Sequence, residues 1–457
     1  MNMDNNEQKN KKNLIRIFFE GSIYSKLSFI ICGLANIIYG QVVKGLLFLL
    51  VEVAYILFMV QSGITNLVNL TTLGTSQQGM VFNEATGIYE VSQGDNSMLF
   101  LLYGVATLVA TIAFICVWRT SIHAGECARE LKASERPVPG FIDDIKSLFD
   151  KNINLLFLGL PIALLVVFTV TPLIYMILMA FTSYDAEHQP PGNLFGWVGL
   201  DNFKALFSAS DKLGSTFWPI LGWTIIWAIA ATFTCYFGGL FLAILINSKG
   251  IKAKKLWRTI FVITMAIPAF ISLLVVSTML GERGIINILL QNWGFTTEAL
   301  PFLTKANWAR GSLIVVNMWI GIPVTMLLAS GLLMNVPEEL YESARIDGAN
   351  TFVMFRKITF PYIWFITTPY LISNFIGNIN NFNIIYFLTG GNPSTLDYYK
   401  GAGKTDLLVT WLFKLTQDSK DYNLAATIGI IIFVISASFT WISYSRSKAL
   451  KNEEGFQ

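Results

Sequence analysis

The sequence predicts an all-α polytopic membrane protein with about eight transmembrane helices. Of its 457 residues, 54% are hydrophobic and only 13% are charged, and its mean hydropathy is +0.55. A soluble chain carries roughly 25% charged residues, so this one lacks the polar surface for several water-facing domains. About 20 apolar residues span a bilayer as a helix, which satisfies its own backbone hydrogen bonds there.

Eight apolar stretches have that length, and an interrupted one precedes them. Residues 13–41 are also apolar but are broken by Arg16, Glu20 and Lys26, which predicts an amphipathic segment at the membrane interface. A charged connection, 119–154, separates the first two spans from the remaining six. We therefore predict an N-terminal region at 1–150 and a six-helix core at 151–457. The predicted spans are 42–60, 98–118, 155–181, 220–246, 259–280, 312–334, 362–388 and 424–444.

The distribution of Lys and Arg predicts the orientation in the membrane. Cytoplasmic connections are richer in these residues than external ones. With both termini in the cytoplasm, the internal segments hold 22 of the 32 Lys and Arg residues and the external ones hold 9. The connection 61–97 contains none, whereas the short connection 247–258 contains five. This bias predicts that both termini lie inside.

Several functional classes are disfavoured. A net charge of +3 gives no basic face for nucleic acid. His123 and His188 are far apart, the cysteines lack metal-type spacing, and no nucleophile–base pair is evident, so we predict neither a metal site nor an enzyme. The segment Gly403-Lys404-Thr405 is not a phosphate-binding loop, because Tyr398 stands where that motif needs glycine. If ATP drives this protein, a separate polypeptide hydrolyses it.

The cytoplasmic segment 337–361 predicts a short helix, a turn and a second helix. Pro337 suits the start of a helix, acidic residues follow it, and Gly348 can adopt the left-handed conformation that ends the helix. Small and charged side chains, Ser343 and Ala344 beside Glu342, Arg345 and Asp347, suit a partner surface. An ordinary solvated loop helix is the alternative interpretation.

This segment resembles the EAA loop of ABC importer permeases. Glu342-Ser343-Ala344, Gly348, Ile358 and Pro361 match the spacing of that motif, with Ser343 and Phe360 as departures from it. The resemblance implies a type I ABC importer permease core and a coupling helix that docks in a cleft of an ATPase subunit. The residues it assigns to ATPase coupling are Glu342, Ser343, Ala344, Asp347 and Gly348.

Other segments are similar to the larger permease subunit of maltose and maltodextrin importers. They are Val198–Phe203, Ile385–Gly391, Ala402–Val409 and Asn423–Ala426. The resemblance implies a bacterial plasma-membrane importer in which this chain binds no cofactor. The implied partners are a second homologous permease, two ATPase subunits that bind ATP and magnesium, and an extracellular sugar-binding protein.

Polar residues in two spans predict a path for oligosaccharides. Asn374, Asn378 and Asn381 are spaced to share one helical face, and primary amides donate and accept hydrogen bonds as sugar hydroxyls require. The alternative is that they hold neighbouring helices together. The family resemblance places sugar contacts at Asn317, Ile320, Gly321, Asn374, Asn378 and Asn381.

Glu52 lies within the first predicted span, where an ionisable side chain is costly. We expect a protonated or internally paired glutamate that attaches this span to the helix bundle. The competing hypothesis for the whole protein is an ion-coupled secondary sugar carrier that acts without an ATPase and uses Glu52 as its proton site.

Overall fold

The computed structural model describes residues 13–83, 87–248 and 250–446. Over these residues the chain is mostly helical, and its one sheet is a pair of short strands, which confirms the predicted all-α class. It divides between Val198 and Gly199 into two compact units. The predicted division at residue 150 stays a prediction.

The first unit contains three short helices, two long helices with a β-hairpin between them, and two further helices. Its helices are α1 Leu14–Glu20, α2 Ile23–Leu27, α3 Leu34–Ile38, α4 Val42–Thr72, α5 Ser97–Ala133, α6 Phe141–Phe149 and α7 Ile153–Met179. Its strands are β1 Gly79–Asn83 and β2 Ile88–Ser92, which pair antiparallel.

Helices α4 and α5 pack closely along their length. A Cβ on Gly104 would lie 2.6 Å from the Cβ of Leu70, so only glycine permits this approach. Further along the pair, the rings of Tyr55 and Phe114 stack with centroids 4.0 Å apart. The small residue and the stacked rings explain how two apolar helices form a hairpin within the unit.

The N-terminal helices α1–α3 attach to this hairpin through hydrogen bonds. The backbone N–H of Cys32 donates to Glu52 Oε2 at 2.8 Å, and that of Gly33 donates to Ser121 Oγ at 2.7 Å. Glu52 is 8% exposed and internally satisfied, as predicted. We expected Glu52 to attach the first span to the helix bundle, but its carboxylate instead holds the N-terminal segment onto that span. The chain is not helical just before Gly33, so the backbone N–H of Cys32 is available to donate.

The second unit has one long helix, α9, at its centre. Close packing of α9 on α13 is set by Gly239, where a Cβ would lie 2.5 Å from the Cβ of Thr325. The helices are α8 Asp201–Phe207, α9 Lys212–Asn247, α10 Lys254–Ile263, α11 Ala269–Met279, α12 Ile285–Asn292, α13 Ala306–Leu333, α14 Glu338–Ile346, α15 Thr351–Met354, α16 Phe360–Ile379, α17 Phe382–Leu388, α18 Leu408–Gln417 and α19 Tyr422–Arg446.

Six of the eight predicted spans correspond to helices long and apolar enough to cross a bilayer. They are α4, α5, α7, α9, α13 and α19. The predicted span 259–280 is instead two segments bent by 90°, because Pro268 between them cannot continue the helix. With this pair counted as one span, the total is seven.

The predicted span 362–388 also differs from the structure. Its helix α16 ends at Ile379, and a second short helix, α17, begins at Phe382. Asn381 causes the restart, since its side-chain oxygen accepts a hydrogen bond from the N–H of Ile384 and so caps α17. The asparagines that make this segment polar therefore also break it.

Candidate functional site

The predicted asparagines Asn374, Asn378 and Asn381 form one hydrogen-bonded row with Tyr370. This row of four residues is here called the amide ladder. Asn381 Nδ2 donates to Asn378 Oδ1 at 3.4 Å, and Asn378 Nδ2 donates to Asn374 Oδ1 at 2.9 Å. Asn374 Nδ2 in turn donates to the Tyr370 hydroxyl at 3.0 Å. The spacing of four residues places Tyr370, Asn374 and Asn378 on one face of α16, and Asn381 lies just beyond the end of that helix.

The ladder is bonded to two neighbouring helices. Asn378, which is buried, also donates to Thr232 Oγ1 on α9 at 3.0 Å. The Tyr370 hydroxyl lies 3.3 Å from Thr325 Oγ1 on α13. The ladder therefore connects three helices, and each amide of Asn374 and Asn378 already has protein partners in this conformation.

Two of the sugar contacts predicted on α13, Asn317 and Gly321, lie against the turn of α9 that also bonds to the ladder. Asn317 Nδ2 donates to Cys235 Sγ at 3.2 Å, and Gly321 lies so close that a Cβ there would be 2.5 Å from that sulfur. Thr232 and Cys235 are one turn apart, so Asn317 and Asn378 each bond to the same turn of α9. Ile320 packs instead into the apolar cluster around Trp223 and Trp227.

Sequence reasoning missed Thr232, Cys235, Thr325 and Tyr370. The available signal was weak: each is one of several small or polar side chains scattered along a mostly apolar helix. Threonine in such a helix can bond to its own backbone, as Thr325 also does to Gly321 O at 3.4 Å. Only the packing of α9 against α13 and α16 shows which of these hydroxyls meet the ladder.

The segment around Gly403 is a tightly bonded loop, not a phosphate cradle. The N–H of Gly403 donates to Asp406 Oδ2 at 2.7 Å, and that of Lys404 donates to Pro393 O at 2.9 Å. The Lys404 ammonium lies over the ring of Tyr398. These donors, which a phosphate would need, are bonded to protein acceptors.

Asp406 organises this loop from a fully buried position. Its carboxylate accepts from Thr410 Oγ1 at 2.9 Å and pairs with Lys414 Nζ at 2.7 Å. The carbonyl of Lys404 accepts two hydrogen bonds from the Arg310 guanidinium, which lies over the Trp223 ring. The loop therefore attaches to both α13 and α9, above the turn that meets the ladder.

The segment 337–361 adopts the helix, turn and helix that the sequence predicts. Helix α14 ends before Gly348, which has φ +77°, and the Asn350 side chain caps α15 by accepting from the Val353 N–H at 2.9 Å. The predicted coupling residues lie along this short segment: Glu342, Ser343, Asp347 and Gly348 are exposed and Ala344 is half-buried. Beside them Ile346 is 87% exposed, an apolar side chain without cover.

The described residues contain no group of three His, Cys, Asp or Glu side chains that could hold a metal ion. None of the four cysteines forms a disulfide in the described part of the chain, and Cys32 and Cys235 are buried. The polar groups described above in the second unit are amides, hydroxyls and the ion pair of Asp406 with Lys414.

Comparison with known proteins identifies the family. The family model described as the binding-protein-dependent transport system inner membrane component matches residues 235–450. The chain is 35% identical to the maltodextrin transport system permease protein MalC of Streptococcus pneumoniae serotype 4, over 93% of this chain and 96% of MalC. It is 32% identical to the galactooligosaccharides transport system permease protein GanP of Bacillus subtilis, over 93% and 97% respectively.

The fold is similar to that of a bacterial alginate ABC transporter solved in complex with an alginate pentasaccharide-bound periplasmic protein. The TM-score is 0.54 at 22% identity, covering 66% of this chain and 96% of that one. The likeness confirms the fold, and the extended identity to MalC and GanP confirms the resemblance found in the sequence. The chain belongs to the family of ABC importer permeases, the membrane components of binding-protein-dependent transport systems.

Proposed function

We propose that this chain is the larger permease subunit of an ATP-driven importer that translocates maltodextrin-like oligosaccharides into the cytoplasm. The observation that carries the proposal is the 35% identity to MalC over 93% of the chain. GanP, whose name specifies galactooligosaccharides, is 32% identical over a similar length. The proposed substrate class is therefore the short oligosaccharide, with maltodextrin as its first candidate.

The amide ladder is the proposed sugar-binding surface on α16. Asn374, Asn378 and Asn381 can exchange their bonds to one another for bonds to sugar hydroxyls, which also donate and accept. Such an exchange needs no charged group and leaves no amide unpaired. We assign Asn317, Ile320 and Gly321 to the opposite wall of the path, across the Thr232–Cys235 turn.

The movement that exposes the ladder to each side in turn is proposed to come from the ATPase. ATP and magnesium bind to two separate ATPase subunits, and α14 docks on one of them through Glu342, Ser343, Ala344, Asp347 and Gly348. A second permease chain completes the path, and an extracellular sugar-binding protein delivers the substrate. This arrangement requires α14 to face the cytoplasm. Both chain termini lie on that side when the bent pair α10–α11 and helix α16 each also cross the bilayer, which makes eight crossings.

The ion-coupled carrier is not supported by membership of this family. Glu52, its proposed proton site, instead has a defined role as an acceptor for the backbone of Cys32. It lies in the first unit, outside the residues of the amide ladder.

The test is sugar-stimulated ATP hydrolysis by the complete complex. We expect the reconstituted complex to hydrolyse ATP faster with its binding protein and maltodextrins. Glu342→Ala should abolish both uptake and co-purification of the ATPase, whereas Glu339→Ala, on the same helix, should leave both unchanged. Accumulation of sugar by vesicles that contain only this chain would overturn the proposal.

A further inference from the structure

A single polar face runs from the coupling segment to the far end of α16. Residues 351–379 form an unbroken helix, and on one of its faces hydrogen-bonding side chains recur at spacings of three, four or eight residues. This spacing keeps them on one face. They are Thr359, Thr367, Tyr370, Asn374 and Asn378, with Asn381 immediately beyond the helix end.

The lower half of this face bonds to other helices, as the amide ladder does above it. The Tyr341 hydroxyl on α14 lies 2.8 Å from Thr359 Oγ1. The Tyr236 hydroxyl on α9 lies 2.8 Å from Thr367 Oγ1, next along the face. Thr359 and Thr367 are both buried, so their hydroxyls depend on these partners and on their own helix.

The bond at Thr359 joins the coupling helix to the base of α16. Between α14 and α15 the main chain passes through Gly348, at φ +77°, and such a residue gives a backbone joint little stiffness of its own. The Tyr341–Thr359 hydrogen bond bridges that joint with side chains. Above Thr359 the helix is continuous for 19 residues to Asn378, about 29 Å at a rise of 1.5 Å per residue.

The same place carries a local widening of the helix. Phe355–Thr359 forms a π-helical turn, and Pro361 follows it without an N–H to donate. A turn of this kind is a point where a helix bends. Thr359 is the last residue of the turn, so its bond to Tyr341 fixes the direction in which α16 leaves it.

We propose that Tyr341 is a positioning residue: its hydrogen bond to Thr359 makes α14 and α16 move as one body and so transmits movement of the coupling helix to the amide ladder. The inference rests on the proposed function and adds to it a specific contact outside the Glu342–Gly348 segment. Without the bond, α14 turns about Gly348 while α16 stays in place, and ATP is hydrolysed without sugar movement.

The test compares sugar uptake per ATP hydrolysed in reconstituted complexes with the binding protein present. Tyr341→Phe and Thr359→Val each remove one hydroxyl at nearly constant shape. We expect each to lower uptake per ATP about fivefold, as expected for loss of one hydrogen bond. The double variant should fall no further, because both changes break the same bond.

Controls separate this role from a structural one. Thr368→Val changes a threonine of the same helix whose hydroxyl bonds only to the Trp364 carbonyl, at 2.7 Å, and should transport normally. Thr359→Ser keeps the hydroxyl and should restore coupling. ATPase co-purification should be equal in all variants.

Two outcomes would overturn the inference, and a third would overturn the proposed function. If Tyr341→Phe and Thr359→Val match Thr368→Val, or if their effects add in the double variant, the positioning role is wrong. If uptake falls only in proportion to lost ATPase subunits, the bond serves assembly alone and the inference is also wrong. If the unaltered complex shows no sugar-stimulated ATP hydrolysis, the proposed function itself fails.

Discussion

Asn378→Leu is the most direct test of the amide ladder. The substitution keeps a side chain of similar size but removes three hydrogen bonds: two donated by Asn378, to Thr232 and Asn374, and one accepted from Asn381. If the asparagine only held helices together, the loss of these bonds would be its whole effect. If it binds sugar, transport falls even in complexes that assemble fully.

The structural effect has a calculable size. Side-chain hydrogen bonds between membrane helices average about 0.6 kcal/mol each, so three are worth about 2 kcal/mol. The same change places an apolar side chain beside Thr232 Oγ1, which can still bond to its own helix backbone. A loss of this size lowers thermal stability measurably, and we expect the extensive apolar contacts of α9 with α13 and α16 to keep the unit folded.

The assay measures maltodextrin uptake divided by the amount of assembled complex. Asn380→Leu is the matched control, because the Asn380 side chain is exposed and, among the described residues, donates to the Ile376 carbonyl and not to another helix. Thr232→Val removes the cross-link to α9 while leaving the Asn378 amide, so it should cost stability but little transport. The assignment of Asn378 to the sugar path is refuted if uptake per complex is unchanged in Asn378→Leu.

Three further substitutions test two buried contacts and the turn at Gly348. Glu52→Gln should support normal uptake, since a glutamine oxygen can also accept from the Cys32 N–H, whereas a proton-coupling role would make this variant inactive. Asp406→Ala should destabilise the purified complex by about 3 kcal/mol in thermal unfolding, because it leaves Lys414 without its buried partner. Gly348→Val should abolish ATPase co-purification, since a β-branched residue is strained at φ +77°; normal association would show that the turn is not part of the docking surface.

Most spans and the end of the coupling helix were predicted well, because runs of apolar residues and helix-ending residues are local properties of the sequence. Six spans follow from runs of apolar residues, and the coupling segment follows from Gly348 and the acidic start of α14. The bend at Pro268 was harder to predict. Proline occurs inside continuous spans as well, as Pro323 does in α13, so the residue alone does not predict a right-angle break.

Contacts between helices could not be predicted in the same way. The spacing of Asn374, Asn378 and Asn381 predicts a shared face, yet nothing in α16 alone indicates that this face meets Thr232 on α9. Likewise, Tyr341 and Thr359 are 18 residues apart on either side of a turn, and their bond depends on how that turn folds. Such pairs are set by packing of whole helices, which no single helical pattern contains.

The mutual pairing of the amides has a consequence for sugar selectivity. A site whose polar groups are left unpaired by an analogue that lacks one hydroxyl rejects it by about 10⁴-fold or more. In the amide ladder, Asn378 can return to Asn374 when a hydroxyl is missing, so no buried group stays unpaired. We therefore expect deoxy analogues of a bound maltodextrin to lose only about fivefold in direct binding to the assembled complex, roughly the value of one net hydrogen bond. A loss of several thousandfold for a single hydroxyl would show that the sugar contacts lie on groups that cannot pair with one another, and so not on this ladder.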